Sequence, residues 1–348
     1  MLHIDGSYGE GGGQILRTAV ALSVLTKKPV EITNIRANRS NPGIKPQHYA
    51  AIKIIGELCN AETSGLNIGS SSLTFSPREI TGGEYNFDIG TAGSIMLVFQ
   101  ACILCSVKTK TPITLQVIGG TDVKWSPSWD YFKHIFLPLM KKMGLPVSAH
   151  LIRRGYYPKG GGEVVLTIQP CKDIQPLKLD KKQEFTTVEG IINIANLPEH
   201  ISKRMKHTAI KTLLKKNLEA SLKIEKATSL SAGTGITVWT QTHNVILGAT
   251  VLGERGLPAE KIGENVATEL IREIESGATL DTHAFDQILP YMALARNNEQ
   301  SSCIVKEISS HAQTNMWLIR QFFNNQDMFH IENKEDFKII RVKGIGYL

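Results

Sequence analysis

His311 is the best placed of ten histidines for chemistry. It follows a strand-like run at 303–308 and the turn Ser309-Ser310, just ahead of a helical pattern containing Thr314-Asn315-Met316-Trp317. The positive end of a helix disfavours imidazolium, so a histidine there stays neutral and nucleophilic at physiological pH. A lone histidine is more often structural, so position alone only nominates it.

The loop Gly9-Glu10-Gly11-Gly12-Gly13-Gln14 runs straight into an apolar helical pattern. Glycines let a backbone turn tightly and aim amide N–H groups at an anion, and the helix N-terminus adds positive partial charge. Glu10 is an odd residue for bare phosphate binding but a good one for holding Mg²⁺ beside phosphates. A plain strand-to-helix turn is the simpler reading, because the spacing is not that of a P-loop.

Two arginines three apart, Arg36 and Arg39, stand with Lys45 in a loop punctuated by Pro42-Gly43. Such arginines can converge on one phosphate through forked hydrogen bonds, or form a solvated basic loop. Further on, Arg154-Gly155-Tyr156-Tyr157-Pro158-Lys159-Gly160-Gly161-Gly162 places three glycines between strands, which predicts a backbone passing close to something. Cys102 and Cys105 have redox or zinc spacing but lie in an apolar helical run, with no second Cys/His pair at a matching interval. They read as packing cysteines.

These residues need a frame. The chain has 348 residues, beyond the ~250–300 at which single cores stop growing, so a body plus a further domain is expected. Strands are predicted at 2–4, 29–35, 66–75, 85–89, 113–118, 147–153 and 164–168, with helices at 14–25, 46–59, 91–107 and 129–143. The last of these is expected to bend or break at Pro138. Repeated strand–helix–strand–strand units indicate an internally repeated α+β architecture, not one doubly wound sheet.

The composition shifts after about residue 184. From 184 to 277 there are eleven Lys/Arg, eleven Glu and no Asp, so the whole formal net charge of +7 belongs to the rest of the chain. That block has its own predicted strands (187–194, 236–240, 245–251) and helices (202–218, 258–275), and reads as a small α/β domain inserted into a discontinuous body of 1–183 and 278–348. The body then resumes with helices at 283–295 and 313–323 and strands at 303–308, 328–331 and 337–342.

The basic surplus suits an anionic partner. The start Met1-Leu2-His3-Ile4-Asp5-Gly6 lacks the features of a secretory signal. The most apolar run, 95–107, is shorter than the ~20 residues of a membrane span, so no membrane partner is expected. Five cysteines in a chain this long make no disulfide framework, and a reducing cytoplasm is the expected compartment.

Taken in order, several motifs resemble the RNA 3′-terminal phosphate cyclase family. They are Gly9-Glu10-Gly11-Gly12-Gly13-Gln14-Ile15-Leu16-Arg17, the Arg36–Arg39–Pro42-Gly43 loop, Gly90-x-Ala92-Gly93-Ser94 and Gly119-Gly120-Thr121-Asp122. The triple-glycine segment, Asp286-Gln287 with Pro290-x-Met292-Ala293-Leu294-Ala295, and His311-x-x-Thr314-Asn315 complete the series across essentially the whole chain.

The resemblance implies an ATP-dependent enzyme that turns an RNA 3′-phosphate into a 2′,3′-cyclic phosphodiester through a histidine–AMP intermediate. It implies His311 as nucleophile, Glu10 as ligand of Mg²⁺ or Mn²⁺, and Arg36, Arg39 and, more weakly, Arg17 as phosphate contacts. It also implies a nucleotide pocket from Gln100 and His283-Ala284-Phe285-Asp286-Gln287, with Phe285 against the adenine; relatives often carry Leu-Ala-type residues before Asp-Gln. The implied fold is a body of three repeated units, related to the enolpyruvyl transferases, with a small α/β domain inserted before the third. A homo-oligomer is compatible with all of this. A non-catalytic branch of the family, acting in ribosomal RNA processing, lacks the nucleophile; the presence of His311 favours the enzyme.

Overall fold

The computed structural model describes residues 1–346, and they form a mixed α/β fold with four four-stranded sheets. Three of the sheets share one connectivity. In the first, Leu2–Asp5 pairs parallel with Val30–Thr33, which pairs antiparallel with Leu73–Ser76, which pairs antiparallel with Glu62–Ser64. Gly83–Asp88, Ile113–Gly119, Gly162–Ile168 and Val147–Arg153 repeat the pattern in that spatial order. Lys178–Leu179, Gln300–Val305, Lys338–Lys343 and Phe329–Asn333 repeat it again. Parallel neighbours need a crossover, whereas antiparallel ones can be joined by a short turn. Each sheet accordingly has helical crossovers after its first and second strands and a direct return between its last two.

The fourth sheet is wired differently. Thr187–Ala195 pairs parallel with Glu219–Lys226 and antiparallel with Gly233–Gln241, which continues to Ile246–Leu252. Its helices Glu199–Leu214 and Ala259–Ser276 pack on each other. All of it lies in the chain between Lys178–Leu179 and the helix Thr282–Leu294.

The helices of the three like sheets meet centrally. Gly13–Thr26 packs against Pro46–Leu58, Ile95–Cys105 and Ser310–Phe323, and Thr282–Leu294 packs on Ser310–Phe323. Gly13–Thr26 and Ile95–Cys105 are apolar almost all round because they are enclosed on nearly every side. Among the described residues no helix is long and apolar enough to cross a membrane.

Local departures from expectation have physical causes. Of the strand expected at 66–75 only Leu73–Ser76 forms, and an unpredicted strand Glu62–Ser64 precedes it; Gly65 (φ 78) and Gly69 (φ 87) turn the backbone between them out of extended form. The helix expected at 129–143 is a short turn Trp129–Tyr131, a π-helical stretch Phe132–Phe136 and Leu137–Lys142, with Pro138 opening the last piece. The strand Glu219–Lys226 escapes sequence reading because it is an edge strand with only Leu222 buried.

Candidate active site

The glycine loop is held against the far end of the chain. Tyr8 stacks on Trp317 with ring centroids 4.0 Å apart. A Cβ on Gly9, whose φ is 57°, would lie 3.0 Å from the Thr314 hydroxyl. Both contacts dock the loop on the helix Ser310–Phe323 and carry Glu10 to that helix's first turn. One Glu10 oxygen accepts the Ser310 hydroxyl. The other, Oε2, accepts from Arg39 Nη2 at 3.0 Å and lies 3.9 Å from His311 Nε2. The Ser310 hydrogen bond holds the Glu10 carboxyl below its usual range against the opposing effect of burial, with His311 and Arg39 reinforcing it.

His311 sits inside the helix, not before it. Ser309 is the N-cap and its hydroxyl accepts from Ala312 N at 3.0 Å, so helical geometry begins three residues earlier than the expected 313. The His311 side chain is half exposed, and Gln14 Nε2 donates to its carbonyl at 3.1 Å. Burial pushes the imidazole below its ordinary pKa; Glu10 pulls the other way, while Arg17, His283 and Arg39 push it lower still. The ring is therefore neutral and accessible at pH 7, as a nucleophile must be.

Positive charge gathers behind the loop. A Cβ on Gly13 would fall 1.9 Å from His48 Nε2, so only glycine leaves room for that imidazole. Lys45 N donates to His48 Nδ1 at 3.3 Å. Burial first, then Arg17, Arg36 and Lys45, bring the His48 pKa down to about 3 and keep it uncharged. Arg17 is half-buried with no ion pair among the described residues, and burial lowers it only to about 10, so it stays charged. Arg36 and Arg39 do not converge on one point here. Arg36 donates to the carbonyls of Asn41 (2.7 Å) and Gly43 (3.2 Å), whereas Arg39 is held by Glu10.

A second polar cluster lies beside His311. Ser309 Oγ donates to Asp286 Oδ1 at 2.5 Å while its oxygen caps the helix. Asn315 Nδ2 donates to the Asp286 carbonyl at 2.9 Å, and Thr18 donates to Asn315 Oδ1 at 3.3 Å. Burial raises the Asp286 carboxyl to about 7 against the Ser309 hydrogen bond. Gln100 Nε2 donates to Gln287 Oε1 at 2.6 Å, and His283 is exposed in the first turn of its helix. Ala284 and Phe285 are enclosed in the core at 1% and 0% exposure, so the Phe285 ring has no open face for an adenine to meet.

The comparisons with known proteins bear on this arrangement. A model of the family described as RNA 3′-terminal phosphate cyclase matches residues 8–328. The chain belongs to that family. A protein named RNA 3′-terminal phosphate cyclase from Methanosarcina barkeri is 45% identical, covering 96% of this chain and 98% of its own. Proteins of the same name from Pyrococcus furiosus (43% identical, 93% of each chain) and Pyrobaculum aerophilum (40% identical, 99% of each chain) are similar over comparable lengths.

One feature shared with the cyclase family's pattern serves a different purpose from the one its charge suggests. Arg154, the cation that opens the triple-glycine segment, is 1% exposed and has no surface to offer a phosphate. Its guanidinium donates to Asp122 (3.1 Å), Asp130 (2.9 Å) and Glu225 (2.7 Å). The triple glycine that follows is close-packed: a Cβ on Gly160 would lie 2.9 Å from Ala92 Cα, and one on Gly162 2.5 Å from Gly155 N. One on Gly161 would lie 2.4 Å from Leu230, so the segment wedges between the second sheet's loops and residues of the fourth sheet's connections.

Sequence reasoning gave no role to His48, Ser309, Ser310 or the Tyr8–Trp317 pair. Ser309 carried a usable signal, a serine three residues ahead of Ala312 at the start of a periodic run. The other contacts join segments remote in sequence, and a single sequence holds no sign of them.

Proposed function

We propose that this cyclase-family member uses ATP to convert an RNA 3′-phosphate into a 2′,3′-cyclic phosphodiester, with His311 as covalent nucleophile. The observation that carries the reading is the half-exposed, neutral His311 in a helix first turn, facing Glu10 and backed by Arg39 and Arg17. In the first step His311 Nε2 attacks the α-phosphorus of ATP; an N–P bond forms, the bond to the β-phosphate oxygen breaks, and pyrophosphate leaves. In the second, an oxygen of the RNA 3′-phosphate attacks the same phosphorus and expels the imidazole, giving an RNA–AMP anhydride. In the third, the neighbouring 2′-OH attacks the RNA phosphorus, loses its proton and releases AMP. Splitting the exchange in this way replaces one difficult step by easier ones.

Charge on the phosphates has to be neutralised throughout. Arg17 makes no ion pair among the described residues, and Arg39 becomes free once Glu10 turns to another partner. Among the described residues no group of three or more His, Cys, Asp or Glu would hold a metal by itself. Mg²⁺ is commonly held by one or two carboxylates plus substrate phosphates and water. Glu10 fits that arrangement, and a bound Mg²⁺ or Mn²⁺ there would offset phosphate charge. Asp286, Gln287, Gln100 and His283 offer hydrogen-bonding groups for the nucleoside; Ala284 and Phe285 would support their helix from within the core.

The like connectivity of three sheets supports reading 1–183 and 278–348 as a body of three repeats, akin to the enolpyruvyl transferases, with 184–277 inserted. The free thiols and the absence of a long apolar helix among the described residues are compatible with a cytoplasmic enzyme.

The test is to incubate the protein with ATP labelled at the α-phosphate and Mg²⁺ or Mn²⁺, then denature it. Retained label that is acid-labile, alkali-stable and lost in His311→Ala is expected. No retained label under any divalent-metal condition would sink the mechanism and favour a non-catalytic RNA-binding role.

A further inference from the structure

We propose that Trp125 and Tyr157 form a stacking platform for the single-stranded RNA leading to the reacting end; this rests on the cyclase reading above. These are the two most exposed large aromatic side chains among the described residues, at 95% and 77%. Of the other three tryptophans, Trp129 and Trp239 are buried and Trp317 is stacked on Tyr8. Leaving an indole wholly in water gains nothing for folding. Trp125 also has φ 60°, a left-handed conformation unfavourable for a bulky side chain. The fold therefore holds this ring outward at a cost, as residues at binding sites often are.

The two rings come from loops that touch. Asp122 and Tyr156 form a parallel backbone bridge, three residues before Trp125 and one before Tyr157. Lysines accompany them. Lys124 Nζ lies 6.0 Å from the Trp125 ring centroid and pairs with Glu254 at 2.7 Å. Lys159 is exposed and makes no ion pair among the described residues. Exposed aromatic faces beside lysines match how single-stranded nucleic acid is held: bases stack on the rings while cations follow the backbone.

The platform is joined to the candidate active site by a short run of contacts. A Cβ on Gly120 would lie 2.5 Å from Ala92 O and 2.7 Å from Val123 Cγ1, so Ala92 abuts the Trp125 loop. A Cβ on Gly160 would lie 2.9 Å from Ala92 Cα, so Ala92 abuts the Tyr157 turn as well. Its neighbour Gly93 would place a Cβ 3.3 Å from Gln47, and next to Gln47 is His48, whose ring lies against Gly13. In this proposal the terminal phosphate lies near Arg17 and Glu10, with the preceding strand running past residues 91–93 toward the two aromatic rings.

The experiment compares binding of 3′-phosphorylated oligonucleotides, a dinucleotide and a chain of about ten nucleotides, by the intact protein, with cyclisation of each measured in parallel. The wild type should bind the longer chain more tightly. Trp125→Ala should lose about tenfold on the longer chain and nothing on the dinucleotide. Tyr157→Ala should lose less, and Trp125→Phe should keep most of the affinity. Trp125→Gly relieves the left-handed backbone, so it should show an equal or higher Tm and still bind the longer chain as weakly as Trp125→Ala. Equal affinity of wild type and Trp125→Ala for the longer chain overturns the platform, as does an equal loss on both lengths. A change in self-association with RNA affinity intact would mark this face as a protein contact and overturn it too. If Trp125 governs binding of the longer chain but neither oligonucleotide is cyclised, the platform stands and the catalytic reading fails.

Discussion

His311 Nε2 and Glu10 Oε2 face each other at 3.9 Å, the histidine from the first turn of a late helix and the carboxylate from a loop near the chain's start. The negative charge raises the pKa of the ring, while burial and the nearby cations lower it by more. Their balance fixes the pH at which the neutral imidazole is lost to protonation.

Self-adenylation should accordingly follow a single acid limb with its midpoint below the ordinary histidine value of 6.5. Because the folded pKa is depressed, the neutral ring persists as pH falls past 6.5 and is protonated only below it. Glu10→Gln removes the one influence that raises the ring's pKa, so the limb should move to lower pH. The plateau rate should also fall, by roughly 10²-fold if phosphate charge is no longer neutralised. A limb that moves upward, or stays fixed, would remove Glu10 from direct electrostatic contact with His311.

The network around Arg154 predicts a stability effect in place of a loss of phosphate binding. Arg154→Met leaves Asp122 and Asp130 as buried carboxylates without their cation. Removing one partner of a buried ion pair costs about 3–5 kcal/mol. Urea unfolding should show a loss of that size. A variant of wild-type stability that binds ATP or RNA weakly would instead make Arg154 a ligand-facing residue.

The contrast between Arg154 and Arg39 shows what a sequence reveals. Both stand in glycine-punctuated segments and look alike as cations beside loops. One is buried among three carboxylates and the other is exposed against Glu10, and the difference is made by Asp122, Asp130 and Glu225, which only folding brings together. Elements with strong local signals were legible: the helices Gly13–Thr26 and Pro46–Leu58 fall within a residue of expectation at each end, and Val147–Arg153 matches. Glu219–Lys226 was not, because an edge strand with one buried side chain carries almost no hydrophobic period. At the candidate site, His311 and Glu10 could be nominated from local motifs, and Asp286 only from the family resemblance. The Tyr8–Trp317 stack that brings the first two together is a tertiary contact with no local trace.

The cysteines offer a simple check of the core. All five are free thiols, and Cys59, Cys102, Cys105 and Cys303 are buried. Burial raises the Cys105 thiol to about 12 and pushes Cys102 well above its usual value. Thiolate is the reactive form, so a thiol reagent should modify at most Cys171 in the native protein and all five after denaturation. Rapid native modification of Cys102 or Cys105 would mean that the central helix Ile95–Cys105 opens readily.

Glu273 should make stability fall as the solution becomes less acidic. It lies on the helix Ala259–Ser276 and receives the N–H (3.3 Å) and hydroxyl (2.8 Å) of Thr282 on one oxygen, while the buried Oε2 has no partner among the described residues. Burial, and then the neighbouring Asp281, raise its carboxyl from 4.5 to about 7. The folded state holds this proton more tightly than the unfolded chain does. Its contribution is therefore fully present below pH 4.5 and is lost as pH rises through about 7. Glu273→Gln keeps an acceptor for Thr282 and cannot ionise. At pH 8 it should be more stable than the wild type, on the order of 1 kcal/mol or more. The advantage should shrink to nothing near pH 4.5, as thermal unfolding across that range can measure. A difference independent of pH would show that Glu273 acts by packing alone and does not hold a proton.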